Sequence, residues 1–162
     1  MPISTGDRLP EAALFRMGDS GPEQISTGDL TRGRKVVIFA IPGAFTPTCD
    51  AAHMPSFIRT KDEFTRKGVE EIVCVAVNDP FVLRVWAQAT GADKAGITVL
   101  GDPAGDLTDA LGLAFDAPAR GLIGRSMRYA MLVEDGVIKV LHLEESPGSC
   151  GISAGEGLLD AI

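Results

Sequence analysis

The sequence is poor in cysteine, histidine and aromatic residues, and it has no surplus of positive charge. Three cysteines, at 49, 74 and 150, serve 162 residues without a CxxC pair. That spacing excludes a disulfide-stapled scaffold or a zinc ribbon and leaves reactive or buried thiols. Fifteen Lys and Arg stand against 22 Asp and Glu, a formal charge of -7, so no general affinity for nucleic acid or acidic membranes is expected. No apolar run approaches the roughly 20 residues needed to cross a bilayer. The opening MPISTGDRLPEAALF has neither a basic region followed by an apolar run nor an arginine-rich amphipathic pattern, so the expected location is the cytoplasm. No repeat, low-complexity tract or linker divides the chain, and the expectation is a single domain over residues 1–162, large enough to bury a core without staples.

What is present is an alternation of strand and helix signals. KVVIFAI (35–41) and EIVCVAV (71–77) are short, β-branched and apolar throughout, as expected of central parallel strands covered on both faces. Between them Ala52, Phe57, Thr60 and Phe64 fall near helical spacing, ending at Lys67 and Gly68. Pro55 lacks a backbone N–H, which predicts a kink or restart there and a short first turn around Cys49. Asn78 or Asp79 caps a further helix beginning at Pro80, with Val82, Val85, Trp86 and Ala89 as its expected buried face. Thr98 to Leu100 reads as a strand and Leu107 to Leu111 as a short helix. The runs 129–133 and 137–141 flank Asp135-Gly136, a hairpin signal. Ala154 to Ile162 reads as a C-terminal helix, weakened by two glycines. This order predicts an α/β, thioredoxin-like fold, a central mixed β-sheet flanked by helices.

The segment PGAFTPTC (42–49) follows the first central strand and opens a helix, at the carboxyl edge of the sheet where open α/β folds bind ligands. A cysteine in the first turn of a helix faces unpaired N–H groups and the positive end of the dipole, which favours thiolate and makes Cys49 a candidate nucleophile. Shifting an ordinary cysteine to mostly thiolate at neutral pH takes about 3 to 4 kcal/mol. A helix terminus contributes about 0.3 to 1, up to about 2 when partly buried, so a nearby cation is required.

PGAFTPTCDAAHMPSF closely resembles the active-site segment of peroxiredoxins, particularly the type II or peroxiredoxin-5-like group. Pro42, Thr46 and Cys49 fall on the Pro-x-x-x-Thr-x-x-Cys pattern. Further similarity runs through KGVEEIVCVAVNDPFV (67–82), Trp86 and RSMRYAMLVEDGVIK (125–139). The resemblance implies a thiol peroxidase that reduces hydrogen peroxide and organic hydroperoxides without metal or organic cofactor. It implies that Cys49 is the peroxidatic cysteine and becomes sulfenic acid, that Thr46 orients the peroxide, that Pro42 shields the sulfur, and that Arg128 polarises both reactants. It also implies a homodimer and recycling by glutathione with glutaredoxin, or by thioredoxin. A peroxide sensor or redox-regulated interaction module is the alternative. A general disulfide oxidoreductase is disfavoured, because Thr46 stands where such enzymes carry the first cysteine.

The remaining thiols divide. Cys74, inside an apolar strand, reads as core. Cys150, in the loop ESPGSCGIS, stays open between a resolving cysteine and an incidental one. Cys49 and His53 are four apart, but Pro55 disturbs that helix and no closed metal site is expected; His53 reads as a hydrogen-bonded structural residue. Arg120 and Arg125 read as solvated surface charges. Asp50, Met54 and Ser56 depart from the family's small hydroxyl residue, Leu and Gly, and Asp50 is expected to point outward, since a carboxylate turned inward opposes ionisation of the sulfur.

Overall fold

The computed structural model describes residues 2–162. Its framework is the pair of apolar runs, which form β3 (Lys35–Ile41) and β4 (Glu71–Ala76), parallel and in register from Val36 opposite Glu71 to Ile41 opposite Ala76. Side chains alternate across the pleat. Val37, Phe39 and Ile41 enter one core, with Phe57, Phe64, Cys74, Trp86 and Leu158; Val36, Ile38 and Ala40 enter the other, with Leu30, Leu107, Leu111 and Ile138. A strand apolar on both faces is what a two-sided sheet requires, and the expected mixed α/β, thioredoxin-like sheet is observed.

Seven strands form it. The N-terminal hairpin, β1 (Ala13–Gly18) and β2 (Gly21–Ser26), was not predicted; β5 (Thr98–Gly101) was, and so were β8 (Tyr129–Glu134) and β9 (Val137–Leu143). The order is β2-β1-β5-β4-β3-β8-β9, parallel through β5, β4 and β3 and antiparallel outside them. Between β8 and β9, Asp135 and Gly136 both take positive φ, 47° and 76°, the two-residue turn that Asp-Gly favours. A separate two-stranded hairpin, β6 (Ala114–Ala117) and β7 (Leu122–Ser126), was also unforeseen.

The helices hold the two faces. α1 (Thr27–Thr31) and α5 (Asp106–Leu111) lie on one side. On the other, a π-wound turn (Cys49–His53) leads into α2 (Met54–Arg66), with Pro55 in the first turn of α2. The restart at Pro55 is therefore real, and the turn before it is wider than an α-helix. α2 buries Phe57, Thr60 and Phe64 as its spacing predicts, while Ala52 is only half-buried. Its end is closed by the Val69 amide on the Phe64 carbonyl at 3.0 Å, with Gly68 at φ 90°.

Asp79 caps α3 (Pro80–Thr90), accepting from the Val82 amide; the short α4 (Ala92–Ala95) follows. The expected buried face of α3 requires correction. Leu83, Trp86 and Ala87 are buried, whereas Val82 and Val85 are 38% and 56% exposed and Ala89 is exposed too. The stripe facing the sheet follows helical i, i+3, i+4 spacing, and the β-branched residues are left outside it. α6 (Gly155–Asp160) closes the chain on α2, and its first glycine is needed there: a β-carbon at 155 would come within 2.5 Å of the Ser56 carbonyl.

Candidate active site

β3 ends at Ile41, and the chain turns through Gly43 to Thr46, whose amide approaches the Gly43 carbonyl at 3.4 Å. Phe45 supplies the positive φ of this turn, 64°, a conformation that costs a non-glycine residue roughly 1 kcal/mol or more. The turn sets the Thr46 hydroxyl 2.8 Å from the Cys49 sulfur and 2.8 Å from the Gly43 carbonyl. One hydroxyl proton serves two acceptors. With an ionised sulfur Thr46 donates to Sγ, and with a protonated one it accepts from the thiol and donates to the carbonyl.

Cys49 is fully buried, and the second group on its sulfur is Arg128, Nη2 donating at 3.1 Å. Arg128 stands immediately before β8, which pairs with β3, so the sheet itself brings the guanidinium to the helix entrance. Its Nε donates to the Pro147 carbonyl at 3.0 Å and its Nη1 to His53 Nδ1 at 2.9 Å. Because a guanidinium only donates, Nδ1 is the acceptor, the imidazole proton sits on Nε2, and Nε2 donates to the Ser153 carbonyl at 2.9 Å. Burial, with the Arg128 cation beside the ring, holds His53 near 3 instead of 6.5, against the opposing pull of the Ser153 hydrogen bond. His53 is thus a neutral, hydrogen-bonded brace, and both nitrogens are occupied, which leaves nothing for the metal-ligand reading.

Arg128 is 1% exposed, yet none of the ion pairs among the described residues includes it. Glu144 is within electrostatic reach but not in contact, and a buried cation with no carboxylate against it is expensive. The group it touches that can carry negative charge is the Cys49 sulfur, so the arrangement is an ion pair waiting on a thiolate. Three of the five guanidinium N–H groups are assigned to protein acceptors, and two remain for a reactant.

The approach to this pair is a narrow cleft of about 80 Å³, lined by Pro42, Thr46, Phe115, Leu122, Arg128 and Pro147 among others. That is room for a few water-sized groups. A larger cleft of about 510 Å³ between β1, α3 and β5 holds none of the residues around Cys49; the chemistry assigns the small one. The sequence-stated set therefore meets: Pro42, Thr46 and Arg128 line the cleft, with Cys49 directly behind.

Cys150 lies in the loop from Glu144 to Ala154, which straps over the site. Thr48 Oγ1 donates to the Gly148 carbonyl at 3.0 Å, and the Glu144 carboxylate accepts from Gly151 N, Ser153 N and Ser153 Oγ. Burial would raise Glu144, but these donors and Arg128 outweigh it and hold the carboxyl below its usual range. Cys150 itself is partly buried, and desolvation, helped by Glu144 and Cys49, pushes its thiol up despite Arg128 and Ser153. Cys74 is fully buried in β4, and burial raises its thiol well above normal, as for a core residue.

Two residues differ from expectation, and a third shows what its departure from the family pattern does. Asp50 does not point outward: its carboxylate is half-buried and accepts from the Trp86 indole at 2.6 Å. Arg125 is no solvated charge, since β7 places it to donate to the Pro42 carbonyl at 3.1 Å, over a glycine at 43 where a β-carbon would collide with it. Only the β6–β7 hairpin makes that possible, and its weak apolar pattern gave no warning. Ser56 donates to the His53 carbonyl and accepts from the Gly155 amide, so this departure from the family pattern ties α2 to α6.

Residues 4–158 match the family model described as Redoxin. The chain is 46% identical over 164 aligned positions to Peroxiredoxin-2E-2, chloroplastic, of Oryza sativa subsp. japonica, covering 99% of this chain and 72% of that protein. It is 41% identical over 162 positions to Peroxiredoxin-2C of the same organism, covering 99% of each. Among solved structures it superposes with TM-score 0.91 and 41% identity on reduced Prx3 in complex with hydrogen peroxide from Vibrio vulnificus, over 98% of both chains.

Proposed function

The chain belongs to the redoxin family as a thiol peroxidase of the type II peroxiredoxin kind, and from that premise we propose that Cys49, Thr46, Arg128 and Pro42 carry its reaction. The buried Arg128 that donates to a buried sulfur while lacking a carboxylate partner is the observation on which this rests. The Cys49 thiolate attacks the terminal oxygen of a hydroperoxide, the S–O bond forms as O–O breaks, and alkoxide or hydroxide leaves to be protonated as alcohol or water. Thr46 accepts from the peroxide O–H and fixes its direction. The free Arg128 N–H groups meet the charge growing on the leaving oxygen. Pro42, its carbonyl held by Arg125, walls the cleft against bulk water.

The sulfenic acid is then reduced by an external thiol, glutathione with glutaredoxin or a thioredoxin, and we keep Cys150 as a candidate resolving residue that must first leave its strap. Residues 1–162 act as one catalytic unit in the cytoplasm, where unpaired thiols persist, and as a homodimer. No helix among the described residues is long and apolar enough to cross a membrane. Cys49→Ser should abolish turnover of hydrogen peroxide with either reductant, and retention of wild-type turnover by that variant would end the assignment. Multiple turnovers with a thiol donor count against the alternative, a sensor that needs only one oxidation.

A further inference from the structure

The peroxidatic turn is a weakly built element with one unusual tether. From Cys49 to His53 the backbone is π-wound, closed by the Met54 amide on the Cys49 carbonyl, and Thr48 offers no side-chain cap. Such a turn is less favourable than an α-helical one. Two contacts hold it to the strap, Thr48 to Gly148 and His53 to Ser153. On the opposite side one contact holds it to α3: Asp50 Oδ1 accepts from Trp86 Nε1 at 2.6 Å, while the Asp50 amide donates to the Thr46 carbonyl at 3.1 Å. Trp86 is fully buried on a helix capped at both ends by Asp79 and Gly91, so the donor cannot follow a moving turn. Asp50 is half-buried and can swing to solvent. One partner is fixed and the other is free to leave.

We propose that the Asp50–Trp86 hydrogen bond is a latch on the peroxidatic turn, holding Cys49 inside the fold and setting how readily its sulfenic acid meets a thiol reductant. This rests on the thiol peroxidase reading. The cleft of about 80 Å³ admits a small peroxide, but a peptide or protein thiol cannot reach a sulfur with no exposed surface. Reduction therefore needs the turn to open. Once open, the first thiol attacks Cys49 sulfenic acid, water leaves and a mixed disulfide forms; a second thiol attacks that disulfide and releases Cys49 as thiol with the reductant oxidised. While latched, the buried sulfenic acid stays exposed to a second hydroperoxide, which transfers one oxygen to give the sulfinic acid and an alcohol or water. Asp50 is a positioning residue in this scheme. Its carboxylate is committed to the indole, which also keeps that charge directed to α3.

The test uses the full chain as wild type, Asp50→Ala, Asp50→Asn, Trp86→Phe and the Asp50→Ala/Trp86→Phe pair. A charge-assisted hydrogen bond is worth roughly tenfold or more in an equilibrium. Amide exchange over residues 46–54 of the reduced protein should rise by about that factor in Asp50→Ala and in Trp86→Phe, with no further rise in the pair, because either change removes the same bond. Asp50→Asn keeps an acceptor without the charge, leaving a bond roughly half as strong, and should fall between wild type and Asp50→Ala. After one equivalent of hydrogen peroxide, glutathione should consume the sulfenic acid faster in the two latch-breaking variants. Graded peroxide should leave less sulfinate in them.

Equal behaviour of Asp50→Asn and Asp50→Ala would assign the effect to charge and overturn the latch, as would additive effects in the pair or unchanged exchange in Asp50→Ala. Trp86→Phe removes core volume, but Asp50→Ala does not and decides the matter if the other variant folds poorly. Failure of the wild type to form any sulfenic acid would remove the peroxidase reading instead, while exchange in the reduced chain would still judge the latch.

Discussion

At the scale of single residues, the site is organised by the need of Arg128 for a counter-charge. Three protein acceptors orient the guanidinium, and the sulfur is the one that can carry a full negative charge. Arg128→Gln keeps hydrogen-bonding ability but loses the cation and the fork, and the second-order rate with hydrogen peroxide should fall by roughly 10² to 10³; a loss under about fivefold would remove Arg128 from the mechanism. His53 gives a pH test of the same cluster. Its ring is held near 3, below the unfolded 6.5. Between those values the unfolded chain binds the extra proton, so stability rises with pH there, is fully present above 6.5 and is lost on acidification at about 1.4 kcal/mol per pH unit. His53→Gln should flatten the dependence of unfolding free energy on pH between 6 and 4.5 by about that slope; parallel curves for wild type and variant would contradict a neutral His53. The core of the site was legible because Pro42, Thr46 and Cys49 lie within eight consecutive residues and Arg128 opens a strongly apolar strand. Asp50 with Trp86, and Arg125 with Pro42, join residues 36 and 83 positions apart through a side chain meeting an unrelated element, and local spacing carries no trace of that.

At the scale of elements, the same contrast explains which parts of the fold the sequence disclosed. β3, β4, β8 and α2 announce themselves because burial on a full face forces a period. β1 with β2, and β6 with β7, each have a single buried position, so their alternation is too thin to read. The strap from Glu144 to Ala154 has no period at all, and its shape comes from one carboxylate oxygen accepting three donors. Glu144→Gln weakens that clamp by removing the charge, and iodoacetamide should alkylate Cys150 about tenfold faster in the variant at a fixed pH. An unchanged rate would mean that other contacts hold the strap. Because Glu144 is kept below its ordinary range, its contribution is present above the unfolded carboxyl value and fades as pH falls through the folded one. Strap opening should therefore increase in acid, while protonation of His53 at Nδ1 breaks its contact with Arg128 and leaves the Nε2 donor on Ser153 in place.

At the scale of the whole molecule, α3 turns an apolar face outward. Phe81, Val82 and Val85 are exposed on it, and Phe45, in a strained turn, is 53% exposed on the same edge, tied to the start of α3 by the Ala44 amide on Asn78 at 3.0 Å. Strain and exposed aromatic surface together do not serve the isolated fold. A second copy placed there would bury the patch and shield both active-site mouths, consistent with the proposed homodimer, provided the contact reaches roughly 1,000 Å² or more. Each chain carries -7, so association works against like-charge repulsion and should tighten as salt rises toward physiological strength. Phe81→Glu with Val85→Glu adds charge at two exposed positions, 60% and 56% open, and exposed substitutions of this kind shift stability by only about 0.5 kcal/mol. Sedimentation velocity should show the wild type as a dimer at micromolar concentration and the double variant as a folded monomer. A variant that still sediments as a dimer would place the interface elsewhere, and a wild type that stays monomeric at every salt concentration would leave the aromatic edge of α3 to some other partner.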